Sequence, residues 1–181
     1  SEDEDMFAPV LVSTRRRALW LGINLLTALM ASWVIGQFEA TIEKIVALAV
    51  LMPIVASMGG IAGSQTLTLT IRGIALGQIS GKNTRWLILK ELAVGSLNSL
   101  IWAGVVAVIA GFWFNDVNIG LLIATAMCIN LILASLTGTV LPIALEKLGI
   151  DPALAGSVLL TTVTDIVGFL SFLGLATLFL I

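Results

Sequence analysis

Five apolar stretches, each long enough to cross a lipid bilayer, leave this sequence few folds to choose from. A helix rises about 1.5 Å per residue and a bilayer core is about 30 Å thick, so one crossing takes roughly 20 mostly apolar residues. Residues 18–37, 45–71, 92–114, 119–141 and 153–181 meet that length. Runs of this kind read as helices, because hydrocarbon offers no partner to an unpaired backbone group. The expectation is an all-α integral membrane protein with five transmembrane helices per subunit. Only 11% of the residues are charged and 59% are hydrophobic, far from the quarter or so of charged residues that a soluble domain carries.

The polar remainder sets boundaries and direction. Residues 1–17 form an acidic then basic segment; "SEDEDMF" lacks the basic start of a secretion signal and reads as part of a segment cut from a longer chain. Between the last two spans, Gly149 is placed to end a helix, with Asp151 as the N-cap and Pro152 in the first turn of the next. Arg15, Arg16 and Arg17 precede the first span, Arg72, Lys82, Arg85 and Lys90 separate the second and third, and Lys147 separates the fourth and fifth. All three regions fall on one side, against Lys44 alone on the other. The positive-inside rule makes that side cytoplasmic, so the N-terminus is expected in the cytoplasm and the C-terminus outside a plasma membrane. Glu39, Glu43 and Asp116 make the outer loops mildly acidic.

Several function classes drop out. There is no histidine and one cysteine, Cys128, within an apolar run, so one chain builds neither a disulfide nor a Cys/His metal cluster. The basic residues are scattered through short loops rather than gathered into a patch, which argues against nucleic acid as a partner. An enzyme acting on lipid head groups would want several acids or a histidine near the bilayer surface.

The spans differ in character. The first, third and fourth are mostly aliphatic with single asparagines, Asn24, Asn98 and Asn130, of the kind that bridge helices. Trp20, Trp86 and Trp113 stand near span ends, where amphipathic rings anchor. The second span contains "PIVASMGGIAGSQTLTLT", in which Pro53 removes a backbone donor and Gly59, Gly60 and Gly63 expose backbone, with Ile61, Ser64 and Gln65 alongside. Such a segment faces a tight helix crossing, through the small-xxx-small pair Gly59 and Gly63, or a watery path, and the two roles can coexist.

The fifth span carries Asp165, the one charge in a long apolar run and close to mid-bilayer by residue count. A centred carboxylate costs roughly 2.5–3.5 kcal/mol on insertion scales, and no Lys, Arg or His lies within any span to offset it. Compensation is left to water, a proton or a bound cation; a protonated Asp165 hydrogen-bonded to a neighbouring helix is the alternative. Thr161 and Thr162 one turn before and Gly168 one turn after share its face. Two-fold symmetry is the commonest assembly, and two copies of Asp165 meeting on an axis would require a counter-ion. A divalent cation cancels both charges. Mg²⁺, which keeps several of its waters, suits one or two carboxylates and a few hydroxyl and carbonyl oxygens better than Ca²⁺ does.

With these residues in view, the chain resembles the transmembrane domain of the MgtE family of magnesium channels. The resemblance rests on "RRRALWLGINLLTA", on "PIVASMGGIAGSQTLTLTIRGIALG" and on "GTVLPIALEKLGIDPALAGSVLLTTVTDIVGF", and covers essentially the whole chain. It implies a homodimer with the pore on the two-fold axis, lined chiefly by the second and fifth spans, in which Asp165 and its symmetry mate hold a hydrated Mg²⁺. It further implies that the Thr161 carbonyl faces the ion's water shell, that cytoplasmic Mg²⁺-sensing domains accompany the pore in a full-length chain, and that residues 1–17 are the end of the helix connecting them to it. The family usually reads Gly-Gly-Asn-x-Gly-Asn-Gln where this chain has Gly59 to Gln65 with Ile61 and Ser64, so two amides are missing from the second span. Divalent-cation conduction is thus implied more firmly than strict Mg²⁺ selectivity. A carrier coupling Mg²⁺ to Na⁺ or H⁺ is the alternative on the same fold, and a structural membrane subunit a more distant one.

Overall fold

A computed structural model describes residues 6–181 of the chain, and the acidic start of "SEDEDMF" lies outside them. Six helices account for most of those residues: α1 (Val10–Gly36), α2 (Glu39–Lys44), α3 (Ala47–Ala75), α4 (Thr84–Trp113), α5 (Val117–Lys147) and α6 (Pro152–Phe179). Among the described residues five of these, all but α2, are long and apolar enough to cross a membrane. The expected all-helical, five-span architecture is present.

The helices outrun the apolar stretches that announced them. α1 takes in Arg15, Arg16 and Arg17, and α4 starts at Thr84, ahead of the expected Leu92. An apolar window marks where lipid must be met, whereas the backbone ladder continues into the head-group region until a local signal stops it. The short α2, in what reads from sequence as an outer loop, is tied to the far end of α6 by the Thr41 and Thr177 hydroxyls, 2.8 Å apart.

Those stop signals are specific. α5 ends with Gly149 at φ +74°, where the Gly149 amide donates to the Glu146 carbonyl at 3.0 Å and the Ile150 amide to Leu145 at 3.0 Å. This pair of bonds is the Schellman arrangement, which satisfies carbonyls that the last turn would otherwise orphan. Asp151 then accepts from the Ala153 amide at 3.0 Å with Pro152 in the first turn, so α6 starts where the sequence places it. α4 ends the same way with Asn115 in the left-handed region (φ 48°), and Asp116 caps α5 by accepting from Asn118 at 2.9 Å.

α5 is the central helix, packed by α3, α4 and α6, while α1 lies against α6. Large apolar side chains such as Leu48, Leu51, Ile123 and Phe172 fill the core between spans, and small residues sit where the helices approach most closely. Gly95 of α4 meets Ser135 of α5, Gly120 of α5 meets the Ala107 carbonyl at 2.5 Å from where a β-carbon would stand, and Gly156 of α6 faces Leu67 of α3. Cys128 sits half-buried with its thiol 3.8 Å from the Ser99 carbonyl of α4, a packing position. α1 buries Ala31 and exposes most of its large apolar side chains, as does the outward side of α4. Near its ends α4 carries exposed Trp86, with Lys90 Nζ 5.7 Å from its ring centre, and Trp113, stacked on Phe114 at 5.1 Å.

Candidate functional site

A helix turns about 100° per residue, so neighbours in sequence fall on different faces, and α3 divides its polar residues accordingly. Gly59, Gly63, Thr66, Leu67 and Thr70 point into the subunit and are buried. Gly59 receives the Asn130 amide of α5, and Gly63 receives the Leu160 side chain of α6, whose Cδ1 would lie 2.7 Å from an added β-carbon. These two glycines sit at helix crossings. Thr66 and Thr70 donate to carbonyls one turn back in their own helix, at 3.4 and 2.8 Å.

The next stripe around α3 is uncovered. Ser57, Ile61, Ser64, Gln65 and Thr68 are exposed and Gly60 is half-exposed, with no heavy atom within 4 Å of where its β-carbon would stand. Pro53 opens this stripe. Its missing N–H leaves the Ala49 carbonyl without its helical partner on a face that no other part of the chain covers.

α6 is divided in the same manner. Gly156, Leu160, Thr164 and Gly168 are buried towards α3 and α5. Gly168 meets Asn130 Nδ2 at 2.8 Å and Val55 Cγ1 at 3.3 Å, measured from an added β-carbon, so it belongs to the crossing and not to the open stripe. One residue further round, Ser157 and Thr161 are exposed and Asp165 is partly exposed. Thr162 is partly covered and its hydroxyl donates to the Val158 carbonyl at 2.8 Å. The Thr164 hydroxyl is shared between two carbonyls of its own helix, Leu160 at 3.0 Å and Thr161 at 3.2 Å. Of the residues singled out from sequence, the structure therefore gathers Gly60, Ile61, Ser64, Gln65, Thr161 and Asp165 on uncovered stripes, and sets Gly59, Gly63 and Gly168 inside.

Asp165 stands midway along α6, whose 28 residues rise about 42 Å. Among the described residues no cation pairs with it and no group donates a hydrogen bond to it. Nor do three or more His, Cys, Asp or Glu residues come together anywhere among the described residues to form a cage for a metal. What one chain offers at this level is a single carboxylate beside hydroxyl and carbonyl oxygens, a weak direct ligand set and a reasonable one for an ion that keeps its water.

Asn130 is the neighbour that sequence reading treats only as a helix bridge. It is fully buried in α5, and its Nδ2 donates to the Val55 carbonyl of α3 at 3.0 Å, joining two spans. Asn24 and Asn98 stand exposed instead.

Residues 52–175, which hold both uncovered stripes, match the family described as MgtE, divalent cation transporter. The chain belongs to the MgtE family. Over 93% of its length it is 33% identical to the magnesium transporter MgtE of Bacillus subtilis (strain 168), and over 91% it is 33% identical to that of Thermus thermophilus. The Enterococcus faecalis magnesium transporter MgtE is 27% identical over 98% of the chain. The chain spans between 36% and 39% of the length of these relatives. The family assignment implied by the sequence motifs is thereby shown, together with the membrane character of the fold.

Proposed function

We propose that this chain forms the pore of a Mg²⁺ channel in the plasma membrane: a homodimer whose two copies of Asp165 face one another across a two-fold axis and hold a hydrated Mg²⁺ in transit. The observation that carries the reading is the position of Asp165, a mid-span carboxylate with no partner among the described residues, on a stripe of α6 that the rest of the chain leaves uncovered. The magnesium-transporter relatives supply the cargo. A lone carboxylate in hydrocarbon is unfavourable, and a divalent ion shared with a second copy cancels both charges while its water shell meets Thr161, Ser157 and Gln65. No bond is made or broken; the ion moves down its electrochemical gradient into the cytoplasm, on which side the N-terminus lies. Ile61, 59% exposed on α3, puts an apolar side chain on the path, so selectivity rests on charge and hydration more than on amide ligands.

Mg²⁺ uptake into liposomes tests this, with wild type and Asp165→Asn compared and Ca²⁺ and Mn²⁺ as competitors. The amide variant is expected to lose at least about tenfold in uptake, consistent with removal of a 1.4 kcal/mol or larger charge term, and to lose divalent competition with it. Wild-type uptake in Asp165→Asn would remove the site. Flux that follows an imposed Na⁺ or proton gradient would replace the channel with a coupled carrier.

A further inference from the structure

We propose that Asn130 is a positioning residue for the ion path: its amide, wedged between two glycines, fixes how α6 and its Asp165 lie against the uncovered stripe of α3. The inference rests on the pore reading above. Asn130 belongs to α5 and lies on neither uncovered stripe, yet it reaches both helices that carry them. Its Nδ2 donates to the Val55 carbonyl of α3 at 3.0 Å, and the same nitrogen occupies the space where Gly59 and Gly168 lack side chains. Gly168 follows Asp165 by three residues and Gly59 precedes Ile61 by two, so the wedge sits within one turn of the path on either helix.

Apolar contacts between spans are non-directional and allow sliding and rotation, whereas a hydrogen bond seated in a notch fixes both distance and register. A stability role alone explains the residue poorly. The other half of the amide, Oδ1, is buried and has no donor among the described residues. An isosteric apolar residue would fill the notch and bury no orphan acceptor, so the sequence keeps a polar group here against the interest of simple packing. Its directional bond to α3 is the property that leucine would lack.

The experiment measures initial Mg²⁺ uptake against Mg²⁺ concentration in liposomes for wild type, Asn130→Leu, Asn130→Ala, Gly59→Ala, the Gly59→Ala/Asn130→Ala pair and Asp165→Asn, with elution volume in detergent as a check on assembly. Asn130→Leu is expected to raise the half-saturating Mg²⁺ concentration by roughly two- to thirtyfold, the range of coupling changes seen for residues that touch neither ligand, with elution unchanged. Gly59→Ala drives a methyl into the amide from the other side and is expected to shift half-saturation likewise. In the pair the amide is already gone, so the added methyl has room and the shift should not exceed that of Asn130→Ala alone. That non-additivity also serves if one single variant assembles badly. Wild-type half-saturation in Asn130→Leu, or a fall in maximal uptake alone that tracks the amount of folded protein, overturns the inference. Loss of uptake in Asp165→Asn beside a wild-type curve for Asn130→Leu overturns it by itself, whereas wild-type uptake in Asp165→Asn removes the pore reading and this inference together.

Discussion

A methyl group added at Gly138 of α5 would stand 2.7 Å from the Gly63 carbonyl oxygen and 3.2 Å from the Leu67 amide of α3, both backbone atoms that cannot swing aside. Gly138→Ala therefore has to part α3 from α5, and overpacking of this kind costs about 1–3 kcal/mol. A lowered thermal midpoint in detergent is expected, and a wild-type midpoint would mean that the crossing is looser than it stands here. Gly60 presents the opposite case, because nothing lies within 4 Å of its β-carbon position and the residue faces out of the subunit. Gly60→Leu should leave the midpoint unchanged and still block Mg²⁺ uptake by filling the path; unimpaired flux with the dimer intact would contradict it. In the sequence Gly59, Gly60 and Gly63 form one cluster, with Gly138 far away in the fourth span. The 59–63 spacing already hints at a crossing, but what fills the notch, an asparagine 75 residues beyond Val55, has no local signature.

At the scale of helices, the turn joining α5 to α6 is the element whose chemistry is most local and was most legible. Gly149, Asp151 and Pro152 specify a left-handed C-cap, an N-cap and a first-turn proline within four residues, and each takes that role. Gly149→Val forces a β-branched residue to φ +74°, at a cost of about 1–2 kcal/mol. The expected result is a lower thermal midpoint, with Gly149→Asn intermediate, since Asn115 already adopts that conformation at the end of α4; indistinguishable midpoints would show that the turn is not held in this form. The starts of α1 and α4 were less legible, because an arginine or threonine inside a helix and one just outside it look alike to a hydropathy window. Helix α2 could not be read at all: six residues with three charges form a helix here through tertiary support from α6, not through propensity.

On the scale of the whole molecule, two kinds of surface meet the surroundings. The outward sides of α1 and α4 carry large apolar residues such as Leu25, Leu29, Leu97 and Ile101, suited to lipid. The stripes of α3 and α6 carry Ser57, Ser64, Gln65, Thr161 and Asp165 within membrane-length helices, and lipid against them would leave hydroxyls, an amide and a carboxylate without partners. In the proposed dimer, covering that surface with its own copy about a two-fold axis would remove the conflict and enclose water between the copies, because an isologous contact brings each residue near its symmetry mate. In that dimer Thr161 would lie close to the axis and Leu97 far from it. In a Cys128→Ser background, Thr161→Cys is expected to give a dimer band with a short bifunctional thiol reagent in intact membranes, and Mg²⁺ at millimolar levels should slow the reaction by occupying the space between the two thiols. Leu97→Cys, facing lipid on α4, should stay monomeric under the same treatment. A dimer band from Leu97→Cys with none from Thr161→Cys would place the two-fold axis along α4 and leave the carboxylate of α6 outside the interface, which no arrangement of a shared central ion survives.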